Sequence, residues 1–194
     1  MKKILLASKN AHKLEEFRKI LEPFGFEVVS LASMNDFDEV EETGRTFKDN
    51  ALIKARYYYE KYHVDTISDD SGISFDYFNG FPGIYSARFM AHLDYPAKNK
   101  LITDMFKDIK NRKAHYTCDI ALIINGEEKV FEGLWYGEVA QEPVGVNGFG
   151  YDPIFYLPSE GMTSAEVSPE YKNEHSHRAI ALKEMVKYLE TNHL

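Results

Sequence analysis

The chain carries a single cysteine, Cys118, in 194 residues. One thiol excludes an intramolecular disulfide framework and any zinc site built from several cysteines. It fits a reducing compartment. Cys118 lies in an apolar stretch that reads as a strand, so a small buried side chain accounts for it. Long apolar runs are missing as well. None approaches the ~18 residues of a membrane span, and the first apolar run is too short for the core of a signal peptide. These absences predict a cytoplasmic protein with no membrane partner. Basic charge is in deficit: 23 Lys and Arg stand against 31 Asp and Glu, a net charge of −8. Such a chain is a poor general binder of nucleic-acid phosphates, so neither DNA nor RNA is expected as a partner. A small phosphorylated ligand in a local basic pocket stays open. Repeats, low-complexity tracts and linkers are also lacking. With 44% hydrophobic residues, the length suits a single domain over 1–194, or at most two small lobes sharing a core.

The order of elements predicts an α/β fold. Ile4 to Ala7 is a short continuous apolar run, the pattern of a strand buried on both faces. Ser8-Lys9-Asn10 breaks it, Leu14, Phe17 and Leu21 recur at helical spacing, and Pro23 with Gly25 ends that helix. Phe26 to Leu31 is the next strand, completing a crossover unit. Residues 34–46 are acidic and turn-like. Thr46 and Asp49 form a capping pair for a helix carrying Phe47, Ala51, Ile53, Lys54, Tyr58 and Tyr62. Val64 to Ser68 and Ile73 to Phe78 read as two strands separated by Asp69-Asp70-Ser71-Gly72. A helix follows over 96–109. Tyr116 to Ile124 and Lys129 to Val139 are strands joined by Asn125-Gly126, a type I′ hairpin signal. Ser168-Pro169 starts a helical turn, and Ala179 to Leu189 is the last helix. Strands joined without helices make the sheet mixed.

Four segments hold groups suited to chemistry. In the first, Ser8, Lys9, Asn10 and Lys13 surround a strand-to-helix loop, where backbone N–H groups and the helix dipole favour an anion. Residues 1–19 carry a net charge of +4 and the remainder −12, so positive charge is concentrated there. A capped helix with solvated lysines would look the same. In the second, Asp69-Asp70 at a strand end and the acidic run Asp36 to Glu42 suit a divalent cation. Side chains alternate along a strand, so only one of the two aspartates should face a ligand. Turn chemistry is the plain alternative. In the third, glycines on both sides of Phe149 would let backbone approach a flat ligand on which Phe149 stacks, with Asp152 as acceptor. A tight turn plugging the core is the alternative. In the fourth, Lys172, His177 and Arg178 supply donors, the last two on the exposed first turn of the final helix.

Taken together these segments resemble the inosine triphosphate pyrophosphatase family, enzymes acting on non-standard purine nucleoside triphosphates. The resemblance rests on Ser8-Lys9-Asn10-Ala11-His12-Lys13, Glu41-Glu42-Thr43-Gly44 with Thr46-Phe47 and Asn50-Ala51, and Asp69-Asp70-Ser71-Gly72. It continues through Pro82-Gly83-Ile84-Tyr85-Ser86-Ala87-Arg88, Gly148-Phe149-Gly150-Tyr151-Asp152-Pro153 and Ser176-His177-Arg178. These six pieces stand in the family's order over nearly the whole chain.

The resemblance implies an elongated, two-lobed α/β fold. A mixed twisted central sheet would be flanked by helices, with an active-site cleft between the lobes. It implies hydrolysis of ITP, dITP and XTP to the monophosphate and pyrophosphate, with Mg²⁺, in a homodimer. Carried onto this chain, Ser8, Lys9, Asn10, Ala11, His12 and Lys13 would hold the phosphates. Glu41 and Asp70 would hold the metal, with Asp70 also the base for water. Ser71 would contact substrate, and Phe149, Gly150, Tyr151, Asp152, Lys172, His177 and Arg178 would line the base pocket. Lys54 is a further candidate for the phosphates. His12 stands where many members have glycine, and Phe89-Met90-Ala91-His92 departs from the usual stretch after Arg88. Neither departure removes a proposed catalytic group. Two other readings are a pyrophosphatase for a different modified nucleotide and a nucleotide-binding module without catalysis.

Overall fold

A computed structural model describes residues 2–192. The chain forms β1 (Lys2–Leu6), α1 (Ala11–Leu21), β2 (Phe26–Ser30), α2 (Phe47–Tyr62) and β3 (Thr66–Phe75). It continues through α3 (Tyr95–Met105), β4 (Lys113–Ile124) and β5 (Glu127–Val139). The last elements are β6 (Phe155–Leu157), β7 (Met162–Thr163), α4 (Pro169–His175) and α5 (His177–Asn192). The strands form one mixed sheet in the order β2-β1-β3-β4-β5-β6-β7. β1 runs parallel to β2 and β3, whereas β6 is antiparallel to β5 and β7. The α/β class and the mixed sheet agree with the sequence.

Two compact units are distinguishable. The first comprises residues 1–70, 118–133 and 180–194, and the second 71–117 and 134–179. The core of the first is aliphatic. Ile4, Leu6, Val28, Ile67, Ile120 and Leu122 meet Phe17 and Leu21 of α1 and Leu182, Met185 and Leu189 of α5. Cys118 is fully buried among them. The core of the second is aromatic, with Phe75, Phe106, Tyr116, Trp135, Tyr151 and Phe155 at its centre.

Local signals explain most boundaries. The Asn10 side chain accepts from the backbone N–H groups of His12 and Lys13 and starts α1. Gly25, at φ +85°, takes the left-handed conformation that stops the following turn. Thr46 Oγ1 accepts from Asp49 N and starts α2. Asn125 and Gly126 have φ of +51° and +82°, as a type I′ hairpin requires.

The structure corrects three expectations. β3 runs unbroken through Asp69-Asp70-Ser71-Gly72, where two strands and a turn were expected. Neighbouring lysines neutralise the carboxylates, so the segment stays extended. α3 stops at Met105, four residues early, and the Phe106 side chain turns into the aromatic core. α5 starts at His177, and His177 and Arg178 are buried at 8% and 3% exposure, not on an open turn.

Candidate active site

In the first unit two lysines and three carboxylates converge. Lys13, one turn into α1, reaches β3 and pairs with Asp69 at 2.8 and 2.9 Å. The Asp69 side chain is 1% exposed, so this pair neutralises a buried charge. Lys54, from the middle of α2, donates to Glu42 Oε1 at 2.7 Å and to the Asp69 carbonyl at 2.8 Å. Its ammonium lies 3.9 Å from Asp70 Oδ1. Burial works to lower the pKa of Lys54. Asp70, Asp69 and Glu42 outweigh it, and the pKa is raised. Burial pushes the Asp70 carboxyl up to about 6. Lys54 opposes this, Glu42 adds to it, and the Asn50 hydrogen bond and Lys13 pull the other way.

Asn50 is the hinge of this arrangement. Its Nδ2 donates to Asp70 Oδ2 at 3.1 Å, and its Oδ1 accepts from Gly44 N at 2.8 Å. One side chain thereby fixes the carboxylate and the end of the acidic loop. A Cβ on Gly44 would stand 2.6 Å from Asn50 Oδ1, so this contact leaves no room for a side chain at Gly44. The sequence motif contained Asn50, but nothing in it indicated this role. Glu42 and Asp69 entered the sequence reading only as members of the acidic run and of the Asp69-Asp70 pair, with no role of their own. Glu41 is exposed beside Glu42.

The opening loop is partly engaged with itself. Ser8 Oγ accepts from Asn10 N, and Lys9 Nζ donates to the Phe37 carbonyl of the acidic loop at 2.7 Å. Asn10 takes the N–H groups of His12 and Lys13, two donors that the sequence offered to an anion. Ala11 and His12 are exposed on the first turn of α1. His12 sits there in ordinary helical backbone, so glycine is not required.

In the second unit Asp152 organises the glycine-rich loop. Its Oδ2 accepts from Phe149 N at 2.8 Å and from Lys172 Nζ at 2.6 Å, and its Oδ1 from Ser164 Oγ at 2.8 Å. Phe149 is 38% exposed, and the Lys172 ammonium lies 5.5 Å from its ring centroid. Aromatic face and ammonium thus sit side by side. Ser164 is fully buried and lay outside every motif. His177 stacks on Tyr116 at 4.6 Å and 9°, with Trp135 beyond at 6.4 Å and 16°. Arg178 donates to Ser71 Oγ at 3.1 Å. The Tyr151 side chain is buried, and its hydroxyl donates to the Ser86 carbonyl.

Oxygen donors of this kind suit a hard divalent cation. Asp70 is half-buried with Glu42 as a like-charged neighbour, an environment that a cation would relieve. Among the described residues no group of three or more His, Cys, Asp or Glu is arranged as a ready-made metal cluster. Mg²⁺ does not need one, since it takes one or two carboxylates and completes its shell with phosphate oxygens and water.

Carboxylates neutralised by lysines in the first unit, and an aromatic ring among buried donors in the second, are each chemistry of a nucleotide-directed hydrolase, the class to which the similar known proteins belong. The Ham1 family model matches residues 4–188. The chain belongs to the Ham1 family. It is similar to the dITP/XTP pyrophosphatase of Bacillus subtilis, at 43% identity over 98% of each chain. That of Vibrio cholerae is also 43% identical, over 98% of each chain. The structure of a HAM1 protein from Coxiella burnetii superposes with a TM-score of 0.91 at 36% identity, covering 98% of this chain and all of that one. The Staphylococcus aureus Ham1 protein gives 0.88 at 37%, covering 98% and 99%.

Proposed function

We propose that this protein is a nucleoside-triphosphate pyrophosphatase that hydrolyses ITP, dITP and XTP to the monophosphate and pyrophosphate, keeping deaminated purines out of DNA and RNA. The single observation that carries the reading is Asp70, a half-buried carboxyl bracketed by Lys54, Lys13 and Asn50, in a chain with near-full-length identity to dITP/XTP pyrophosphatases.

Asp70 is the base, taking a proton from the attacking water. Lys13, Lys54 and the Ser8–His12 loop face the phosphates. Lys13 leaves Asp69 in part to do so. Asp70 and Glu41 would hold Mg²⁺, with Glu42 beside them. When bound, the cation supplies charge neutralisation on the phosphates. Phe149 stacks on the base, and Lys172, Ser71, His177 and Arg178 present donors around it. Hypoxanthine and xanthine have an acceptor oxygen at position 6, where adenine has a donor amino group. Buried donors reward the first, and the second leaves unmatched groups at about 1–3 kcal/mol each.

Other features support the remaining parts of the reading. The net charge of −8 opposes binding of DNA or RNA. Among the described residues no helix is long and apolar enough to cross a membrane, and cytoplasmic residence is part of the proposal. Exposed Tyr77, Phe81 and Tyr85, at 45–55%, offer an apolar patch for a homodimer. One family model spanning residues 4–188 supports a single functional domain.

The test is Asp70→Asn. Turnover of dITP with Mg²⁺ should fall by at least about a hundredfold, while circular dichroism and inosine monophosphate binding persist. Turnover at the unmodified rate would remove Asp70 from the chemistry. Preference for dUTP over dITP and XTP in the unmodified protein would instead favour a different modified nucleotide.

A further inference from the structure

Two polar residues on one turn of α3 are placed at a cost. Asn99 is 2% exposed, and its Oδ1 has no hydrogen-bond partner among the described residues. A buried acceptor left so is unfavourable. Lys98, next to it, is also 2% exposed. No carboxylate among the described residues pairs with it. Its ammonium instead lies 4.5 Å from the Tyr95 ring centroid and 5.7 Å from that of Tyr151. Leucine or methionine at either position would bury the same volume with no such penalty.

Both residues contact the same short loop. Asn99 Nδ2 donates to the Gly150 carbonyl at 2.9 Å. That acceptor fixes the orientation of the amide, since a flipped Asn99 would set two oxygens against each other. Tyr95 meets Tyr151 edge to face at 5.5 Å, and its ring lies 3.7 Å from where a Gly150 Cβ would be. The loop needs holding. Gly148 and Gly150 sit at φ +75° and +68°, and glycines there leave the free chain many alternatives. Fixing each residue costs conformational entropy. A contact that orders the loop in advance removes that cost from binding.

We propose that Asn99, supported by Tyr95 and Lys98, is a positioning residue that latches the Gly148–Asp152 loop in the form that presents Phe149 and Asp152 to the purine. The inference rests on the base-binding role given to that loop above. Helix α3 then governs affinity for the base and leaves the phosphate chemistry untouched.

Asn99→Leu tests it, because it removes the donor together with the orphaned acceptor. Thermal stability should be equal or higher. The KM for dITP should rise about three- to tenfold, the worth of one lost hydrogen bond, with kcat and inhibition by pyrophosphate unchanged. Amide exchange across residues 148–152 of the free protein should quicken by a similar factor. A merely structural Asn99 would not separate KM from kcat in this way. Tyr95→Leu, at an exposed position, gives the same split if Asn99→Leu folds poorly. Unchanged KM and unchanged exchange in both variants would overturn the latch. Exchange is read without substrate, so quickened exchange in a protein that does not turn over dITP would keep the latch and reject the assigned activity.

Discussion

Gly148 shows how tightly a single position is set. A Cβ there would lie 2.0 Å from Asp152 Oδ2 and 2.9 Å from Lys172 Nζ, and φ is +75°. No rotamer of alanine relieves this, so Gly148→Ala must break the Asp152–Lys172 pair or move Phe149. The KM for dITP is expected to rise about tenfold or more, the scale of a lost charge-assisted hydrogen bond. Steady-state kinetics would show it. As the proposed base, Asp70 should set the pH response. With its carboxyl raised to about 6 in the free protein, that base would be lost by protonation as pH falls through that value. A profile of kcat/KM against pH should therefore decline on the acid side near or below pH 6. Added Mg²⁺ should move the limb to lower pH, because a bound cation favours the carboxylate.

The elements carry the site by tertiary neutralisation as much as by local propensity. β3 is the clearest case. Asp-Asp-Ser-Gly has turn chemistry, yet it lies in a strand between β1 and β4, with Lys13 from α1 and Lys54 from α2 neutralising its carboxylates. A sequence window cannot contain those partners, which lie 56 and 16 residues away. The acidic loop is similar. Asp36 is held down to about 2, first by Lys61, then by Tyr62 and the Asp38 N–H, and Tyr57 and Tyr58 donate to Asp38. The tyrosine-rich face of α2 thus anchors the loop that carries Glu41 and Glu42. β4 contributes the opposite case. Burial pushes Asp119 up to about 6, with Glu132 and Asp70 adding to it against the Lys48 N–H. A carboxyl with a raised folded-state pKa favours folding below its unfolded value near 3.9 and loses that contribution as pH rises through about 6. Asp119→Asn keeps an acceptor and cannot ionise. It should stabilise the protein by ~1–3 kcal/mol at pH 8 and by almost nothing at pH 4. Thermal melts at the two pH values check this, and equal effects would show that Asp119 is not strained by its charge.

At the scale of the whole molecule, the sequence disclosed the class and most of the motif residues, because glycine turns, caps and apolar periodicity are local. It did not disclose Asn50, Ser164 or Asn99, single polar residues whose roles depend on what folding brings against them. It also misjudged His177 and Arg178, whose side chains are buried, the first of them stacked on rings from distant strands. In the proposed reading the chemistry is divided accordingly. Ammonium and carboxylate groups of the first unit serve a triphosphate, and rings and donors of the second serve an oxo-purine. The most direct test is product analysis with dITP, XTP and dATP, each with and without Mg²⁺. The account predicts monophosphate and pyrophosphate in equal amounts from dITP and XTP, dependent on Mg²⁺, with dATP turned over at least about tenfold more slowly. Release of single phosphates, or equal rates on dATP and dITP, would contradict it.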